Sequence, residues 1–295
     1  MKKIVSVLLF ITAVMCVRAQ WPGAHSRVLT DSLHSEVLQA DRAYTVYLPA
    51  GFDADTARCY PVLYLLHGMG GTNTSWFHDQ RAGEVADQLI ASGEAVPMVI
   101  VSPNAGGNIM QGHWNGYFNM PGWSYEDFFF TEFVPYIEKT YRCGGSGERR
   151  AIAGLSMGGG GSTSYAQRHP DMFSSVYAIS ALMDIPDFPA AQNPQATSPD
   201  DRMVLLTKAV KDQSCIKYVS GADDKTKNDL RGVKWFVDCG DDDFLLDRNI
   251  EFMHAMRAAG IPMQFRVRDG GHTNEYWHTA LFTALPFASR NFCLK

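Results

Sequence analysis

Short apolar runs ending in glycine or proline, each followed by a stretch with helical spacing, recur along most of this chain. "PVLYLLHG" is one such run, stopped by a glycine turn as a buried strand would be. "PMVIVSP", "RRAIAG", "VKWFVDCG" and "MQFRVRDGG" repeat it, and "SSVYAIS" is a like run without the closing glycine or proline. Between them the spacing predicts helices near 80–91, over "YEDFFFTEFVPYIEKTY", over 157–168, from about 244 to 259 and from about 275 to 289. In the second of these, acids lie near the start and Lys139 near the end, which suits the helix dipole. "SEVLQADRAYTVYLP" reads as two strands forming an antiparallel hairpin at a sheet edge. Strands alternating with helices predict an α/β fold with a mostly parallel central sheet covered on both faces. Residues 183–232 break the rhythm, being rich in Pro, Asp, Gln, Ser and Lys with one helix near 203–210. They read as an insertion before the next strand and a candidate lid, not as a linker.

The first twenty residues follow another rule. Lys2 and Lys3 precede an apolar run from Ile4 to Val17, short for a bilayer span. Val17-Arg18-Ala19 then offers a small residue at the cleavage position. This predicts a signal peptide over 1–19, export to the periplasm or medium, and one catalytic domain over 20–295. Lipid attachment at Cys16 is disfavoured by Met15 just before it. Five cysteines remain after the leader, an odd number with no C-x-x-C spacing, so neither a zinc site nor a pairing scheme is legible.

The net charge of −5 gives no basic stripe, so nucleic acid is not an expected partner. A hydrophobic fraction of 46% is enough for a sizeable core.

Chemistry concentrates at one turn. Gly154-Leu155-Ser156-Met157-Gly158 fits G-x-S-x-G, with a strand before it and a helix after it. That is the context the nucleophile turn of an α/β-hydrolase requires, where a strained serine heads a helix. Gly159, Gly160 and Gly161 extend the glycine run, although each costs a helix interior about 1 kcal/mol. A serine needs a positioned base, and that base needs an orienting acid, arriving in the order Ser, Asp, His. His272 follows the last strand after Gly270-Gly271 and meets that order. His25, His34, His169 and His254 have no such context, His278 belongs to the last helix, and His67 ends an earlier strand beside the same pocket. Asp238, Asp241, Asp242 and Asp243 all remain open as the acid. The oxyanion donors are expected at the backbone N–H groups of Met157, just after the serine, and of the His67–Gly71 loop.

"LLHGMGGTNTSW", "RRAIAGLSMGG", "HPDMFSSVYAIS", "DCGDDDFLL" and "GGHTNEYW" together resemble the esterase D-like α/β-hydrolases, closest to carbohydrate esterase family 1 with its feruloyl and acetyl-xylan esterases. The resemblance runs from about Ala43 to Phe287 and fails over 183–232. It implies Ser156 as nucleophile, His272 as base and Asp243 as acid, with Asp242 the alternative register. It also implies the amides of Met69 and Met157 as oxyanion donors and Trp277 as the aromatic that follows the histidine. No metal or organic cofactor is implied.

Aromatic residues gather in "QGHWNGYFNMPGWSYEDFF", a Gly/Asn/Pro-rich stretch. His113, Trp114, Tyr117 and Trp123 there, with Trp76 and Trp277, are the candidate substrate contacts. The expected reaction is hydrolysis of feruloyl or acetyl esters on plant polysaccharide, with an ester-bearing carbohydrate or small phenolic ester as partner. A siderophore esterase or acyltransferase on the same triad is the alternative. A silent carbohydrate-binding protein is the alternative of another class.

Overall fold

A computed structural model describes residues 25–107, 109–195 and 198–294. The predicted leader and Cys16 lie outside the described residues. The described residues begin with an antiparallel hairpin, β1 (Arg27–Ser35) and β2 (Ala40–Leu48). The second strand is where the sequence predicts it, but the first lies upstream of the predicted segment and only reaches it at Ser35. Residues 36–39, expected as strand, form the turn, with Gln39 at φ 49°. β3 (Val62–Leu66), the short helices α1 (Ser75–His78) and α2 (Ala82–Ser92), and β4 (Val99–Pro103) follow. A two-residue ribbon, β5 (Asn119–Met120) with β6 (Trp123–Ser124), leads into α3 (Tyr125–Phe128) and α4 (Val134–Thr140). Then come β7 (Arg150–Leu155), α5 (Met157–Arg168) and β8 (Ser175–Ile179). Residues 183–232 hold α6 (Pro189–Gln192), α7 (Arg202–Asp212), α8 (Cys215–Ser220) and α9 (Asp224–Gly232). β9 (Lys234–Gly240), α10 (Leu246–Ala258), β10 (Met263–Arg268) and α11 (Asn274–Asn291) complete the chain.

Eight strands form one sheet in the order β1-β2-β4-β3-β7-β8-β9-β10. Only the β1–β2 and β2–β4 pairings are antiparallel. From β4 to β10 every pairing is parallel, so the connections must cross over the faces. Both faces are therefore covered, and β3, β4 and β8 are buried at every position. One core holds Val62, Tyr64 and Leu66 with Phe128, Phe129 and Tyr165, while the other holds Leu63, Leu65, Ala153 and Leu155 with α2 and α11. Such successive side chains point to opposite faces of the strand.

Further expectations change in detail. Residues 183–232, read from the sequence as holding one helix near 203–210, hold four. The helix predicted over "YEDFFFTEFVPYIEKTY" is interrupted by a π-helical turn at Phe129–Phe133. Pro135, at the start of α4, has no N–H to give the preceding turn, and widening that turn absorbs the missing bond. The five cysteines past the leader are all free thiols, with Cys143, Cys215 and Cys239 buried. Burial pushes the Cys215 thiol up to about 12. No helix among the described residues is long and apolar enough to cross a membrane.

The sheet is tied under its C-terminal edge by Asp238, which is fully buried. It accepts hydrogen bonds from the hydroxyls of Tyr177 (2.8 Å) and Tyr276 (2.7 Å) and pairs with Arg266. One carboxylate thus joins β8, β9, β10 and α11. Burial alone would raise its pKa, but bonds from Arg266 and Tyr276 and the charges of Arg268 and Arg266 outweigh burial and hold it below the usual range. Its stabilisation is therefore full above the unfolded carboxyl value of about 3.9 and is lost as pH falls through the lower folded value. Asp238→Asn is expected to destabilise the protein by about 2–3 kcal/mol at neutral pH, because the buried hydroxyls of Tyr177 and Tyr276 and the partly exposed Arg266 lose a charged acceptor. Urea unfolding at pH 7 and pH 3.5 measures this, the variant losing less than the wild type on acidification.

Candidate active site

In the sheet order, the connections from β3 and β7 leave in opposite directions, β3 pairing with β4 on one side and β7 on the other. The crevice beyond the carboxyl ends of such strands is where open α/β sheets bind ligands. Ser156 sits there, between β7 and α5, with φ 54° and ψ −119°. A non-glycine residue at positive φ persists only when its surroundings enforce it. Here Ser156 N–H donates to the Ile179 carbonyl (2.9 Å), and the Ser156 carbonyl accepts from Gly160 N–H (3.1 Å) and Leu182 N–H (2.9 Å).

The glycine run is explained by space around this turn. A Cβ on Gly154 would stand 2.1 Å from the Gly158 carbonyl oxygen, and one on Gly158 2.2 Å from that of Leu66. On Gly159 it would meet Ala181 Cβ at 2.7 Å, on Gly160 the Leu182 carbonyl oxygen at 2.2 Å, and on Gly161 the Tyr117 ring at 2.8 Å. Helix α5 thus runs through the middle of the protein against the backbone at residues 66–67, that at residues 179–182 and a tyrosine face. Gly160→Ala gains about 1 kcal/mol of helix propensity. The overpacking it causes costs about 1–3 kcal/mol or more, since its neighbour is backbone. Lower stability in urea unfolding, together with reduced reactivity of Ser156 through the Leu182–Ser156 bond, is the expected result.

Ser156 Oγ lies 3.0 Å from His272 Nε2, and His272 Nδ1 lies 2.9 and 3.1 Å from the two Asp243 oxygens. His272 follows β10 and Asp243 follows β9, so all three groups arrive from the same edge of the sheet. Asp243 is buried, whereas Asp241 and Asp242 are exposed and Asp238 is committed beneath the sheet. Burial raises the Asp243 pKa, but hydrogen bonds from His272, Ser180 and the Leu245 N–H outweigh it and keep the carboxyl below the usual range. An ionised carboxylate at Nδ1 leaves the other ring nitrogen free to accept from the serine hydroxyl. Trp277 stands edge-on to the His272 ring, 4.9 Å away at 90°, and its indole N–H donates to Ser180 Oγ (3.2 Å).

The N–H groups of Met157 and Met69 have no hydrogen-bond acceptor among the described residues. Met157 opens α5, whose dipole favours negative charge at this end. His67 lies outside the pocket, fully buried behind the Met69 loop. Its Nδ1 donates to the Gly68 carbonyl (2.8 Å) and its Nε2 accepts from Ala105 N–H (3.1 Å). Burial pulls its pKa down to about 4, so the ring is neutral and braces the loop.

These groups open into a cleft of 610 Å³. Its walls are largely apolar, with Met69, Leu182, Ile185, Phe188, Met203 and Phe244 prominent. Phe244 packs 4.6 Å from the His272 ring and meets Phe188 edge-on at 6.4 Å. Of the six aromatic and histidine candidates, only Trp277 lines this cleft. The other five are corrections. Trp76 and Tyr117 are fully buried core residues, and Trp123 is buried. Trp123 stacks on Tyr125 at 5.4 Å and has the Arg42 guanidinium 4.8 Å from its ring centre. Trp114 packs against the core and His113 is exposed elsewhere. Tyr117 of this cluster fills the space beside Gly161 of α5.

What replaces them comes from the segment read as a candidate lid, although the sequence singles out none of its residues. The segment after β8 supplies Ile185, Pro186, Phe188, Pro194, Met203 and Thr207 to the cleft wall. It is anchored by Arg248, which donates to the Ile185 carbonyl (3.0 Å) and pairs with Asp187, and by Arg202, which bonds Asn115 (2.6 Å) and the Pro121 carbonyl (2.8 Å). The only sequence sign was the break in βα rhythm.

Against known proteins, the Esterase family model matches residues 35–288. A solved ferulic acid esterase structure is 60% identical, with a TM-score of 0.86, and the match covers 91% of this chain and 99% of that one. An endo-1,4-β-xylanase/feruloyl esterase of Xylanibacter ruminicola is 27% identical over 263 residues, 87% of this chain. The chain spans only 30% of that relative's length. A CE1 ferulic acid esterase from Anaeromyces mucronatus, solved with ferulic acid, shares the fold at a TM-score of 0.67 and 18% identity, over 93% of this chain and 95% of that one. Matched from the end of β1 through β10 and on into α11, the chain belongs to the Esterase family and is a serine carboxylic-ester hydrolase of the α/β-hydrolase fold.

Proposed function

We propose that this protein is an exported feruloyl esterase, which releases hydroxycinnamoyl groups from plant polysaccharide or its oligosaccharides. The observation that carries the acyl choice is the apolar cleft beside Ser156, rimmed by Phe188, Phe244 and Trp277. An acetyl group would fill a small part of 610 Å³, whereas a phenylpropenoyl group can bury both faces of its ring against these side chains. The 60% identity to a ferulic acid esterase supports the same choice. Export rests on the pattern of residues 1–19 alone.

In the proposed mechanism Ser156 Oγ attacks the ester carbonyl while His272 Nε2 takes its proton, and the carbonyl oxygen becomes an oxyanion between the N–H groups of Met69 and Met157. Asp243 holds the His272 tautomer and offsets the imidazolium charge. His272 then protonates the departing sugar oxygen, leaving a feruloyl ester on Ser156. Water, deprotonated by the same nitrogen, repeats the attack and frees the acid. Residues 183–232 act as a cap that shapes the acyl cleft, within one catalytic domain over 20–295.

A substrate panel on residues 20–295 tests the reading. Expected kcat/KM is highest for methyl ferulate and feruloylated arabinose, with 4-nitrophenyl acetate and acetylated xylan well below. Preference for acetylated xylan or for a catecholate siderophore would refute it.

A further inference from the structure

We infer that Gln80 is a specificity-determining residue, an acceptor held in the cleft wall for a hydroxyl of the substrate. The inference rests on the proposed esterase function and names a contact that the triad does not use. Gln80 follows α1 and is 2% exposed. Its main chain is fixed at both ends: its N–H donates to the Ser75 carbonyl (3.4 Å), and its own carbonyl accepts from His278 Nδ1 (2.7 Å). Its side-chain Nε2 donates to Asn274 Oδ1 at 2.8 Å. Asn274 opens α11, two residues after His272, so the amide pair links the oxyanion side of the cleft to the histidine side.

Gln80 Oε1 is left over. Ten buried side-chain atoms among the described residues have no partner, and this one alone belongs to a residue lining the cleft of Ser156 and His272. Of the other polar groups along the wall, Ser75 Oγ accepts from Thr72 N–H (3.0 Å), and Asp79 is exposed and bonds His78 (2.9 Å). A buried carbonyl oxygen with its amide partner locked is matched by an O–H donor. A site with such an acceptor rejects the analogue that lacks the hydroxyl, because the acceptor then stays unpaired. Discrimination of about tenfold to a hundredfold follows.

Two hydroxyls fit this chemistry, the phenol of a hydroxycinnamoyl group and a hydroxyl of the esterified pentose. Two ratios of kcat/KM distinguish them: methyl ferulate over methyl 3,4-dimethoxycinnamate, in which the phenol is capped, and feruloylated arabinose over methyl ferulate. The wild type is expected to show at least a tenfold preference in one ratio. Gln80→Leu collapses that ratio towards one, and Gln80→Glu, which keeps an oxygen acceptor, retains it. Hydrolysis of 4-nitrophenyl acetate by both variants checks that the serine site is assembled. Equal losses on all esters with both ratios unchanged would overturn the role of Gln80 and leave the feruloyl reading standing. Wild-type turnover of 4-nitrophenyl acetate with none of either cinnamate would overturn both.

Discussion

Ser156→Ala is expected to lower ester hydrolysis by about five to six orders of magnitude, with the fold intact. The size follows from what the side chain does in the proposed reaction. Its oxygen is the atom that bonds to the acyl carbon, so no neighbouring group substitutes for it, and only positioning and the oxyanion donors remain. At about 1.36 kcal/mol per decade, the loss corresponds to about 7–8 kcal/mol of transition-state stabilisation. Stability should hardly move. The hydroxyl's hydrogen bond is to His272 Nε2, while the backbone bonds to Ile179, Gly160 and Leu182 persist in the variant. Alanine also meets the same strain at φ 54° as serine does. Rates on methyl ferulate, read beside urea unfolding curves, separate lost chemistry from lost structure.

Asp243→Asn is the second large effect, with an expected fall in kcat of about 10⁴. An asparagine amide can present N–H to His272 Nδ1, which turns that nitrogen into an acceptor and moves the ring proton to Nε2. Nε2 then cannot accept from Ser156. The geometry that sets this up is close, with Nδ1 at 2.9 and 3.1 Å from the carboxylate oxygens. Asp242→Asn is the matched comparison, since that side chain is exposed and the ring faces its neighbour. It should leave kcat near the wild-type value. Comparable losses in both variants would contradict the assignment of the acid.

Much of this site could be read from local pattern. A strand that ends in a glycine turn is visible in "RRAIAGLSMGG" and "MQFRVRDGGH", and such ends of parallel strands are where the sheet exposes its side chains. The order serine, acid, histidine then limited the choices. Three adjacent aspartates resisted it because local spacing says little about which carboxylate turns inward, and burial of Asp243 is a property of the whole loop.

The aromatic residues near 113–125 misled for a different reason. A stretch rich in Gly, Asn and Pro suggests an exposed loop, yet Tyr117 fills the room beside Gly161 of α5 and Trp123 is buried against Tyr125. Glycines and aromatics are two halves of one packing arrangement that no local window contains. The cleft wall from 185–207 was hidden likewise, because its residues become neighbours of Ser156 only once Arg248 and Arg202 pin the segment down.

The central claim, that Ser156 carries the acyl group during hydrolysis, is tested most directly by titration with a fluorophosphonate probe, followed by peptide mass mapping and an assay on methyl ferulate. The account predicts one phosphonyl group per chain, on the peptide containing Ser156, with activity falling in proportion to labelling and no labelling of Ser156→Ala. Full hydrolysis of methyl ferulate by protein labelled completely at Ser156 would contradict it.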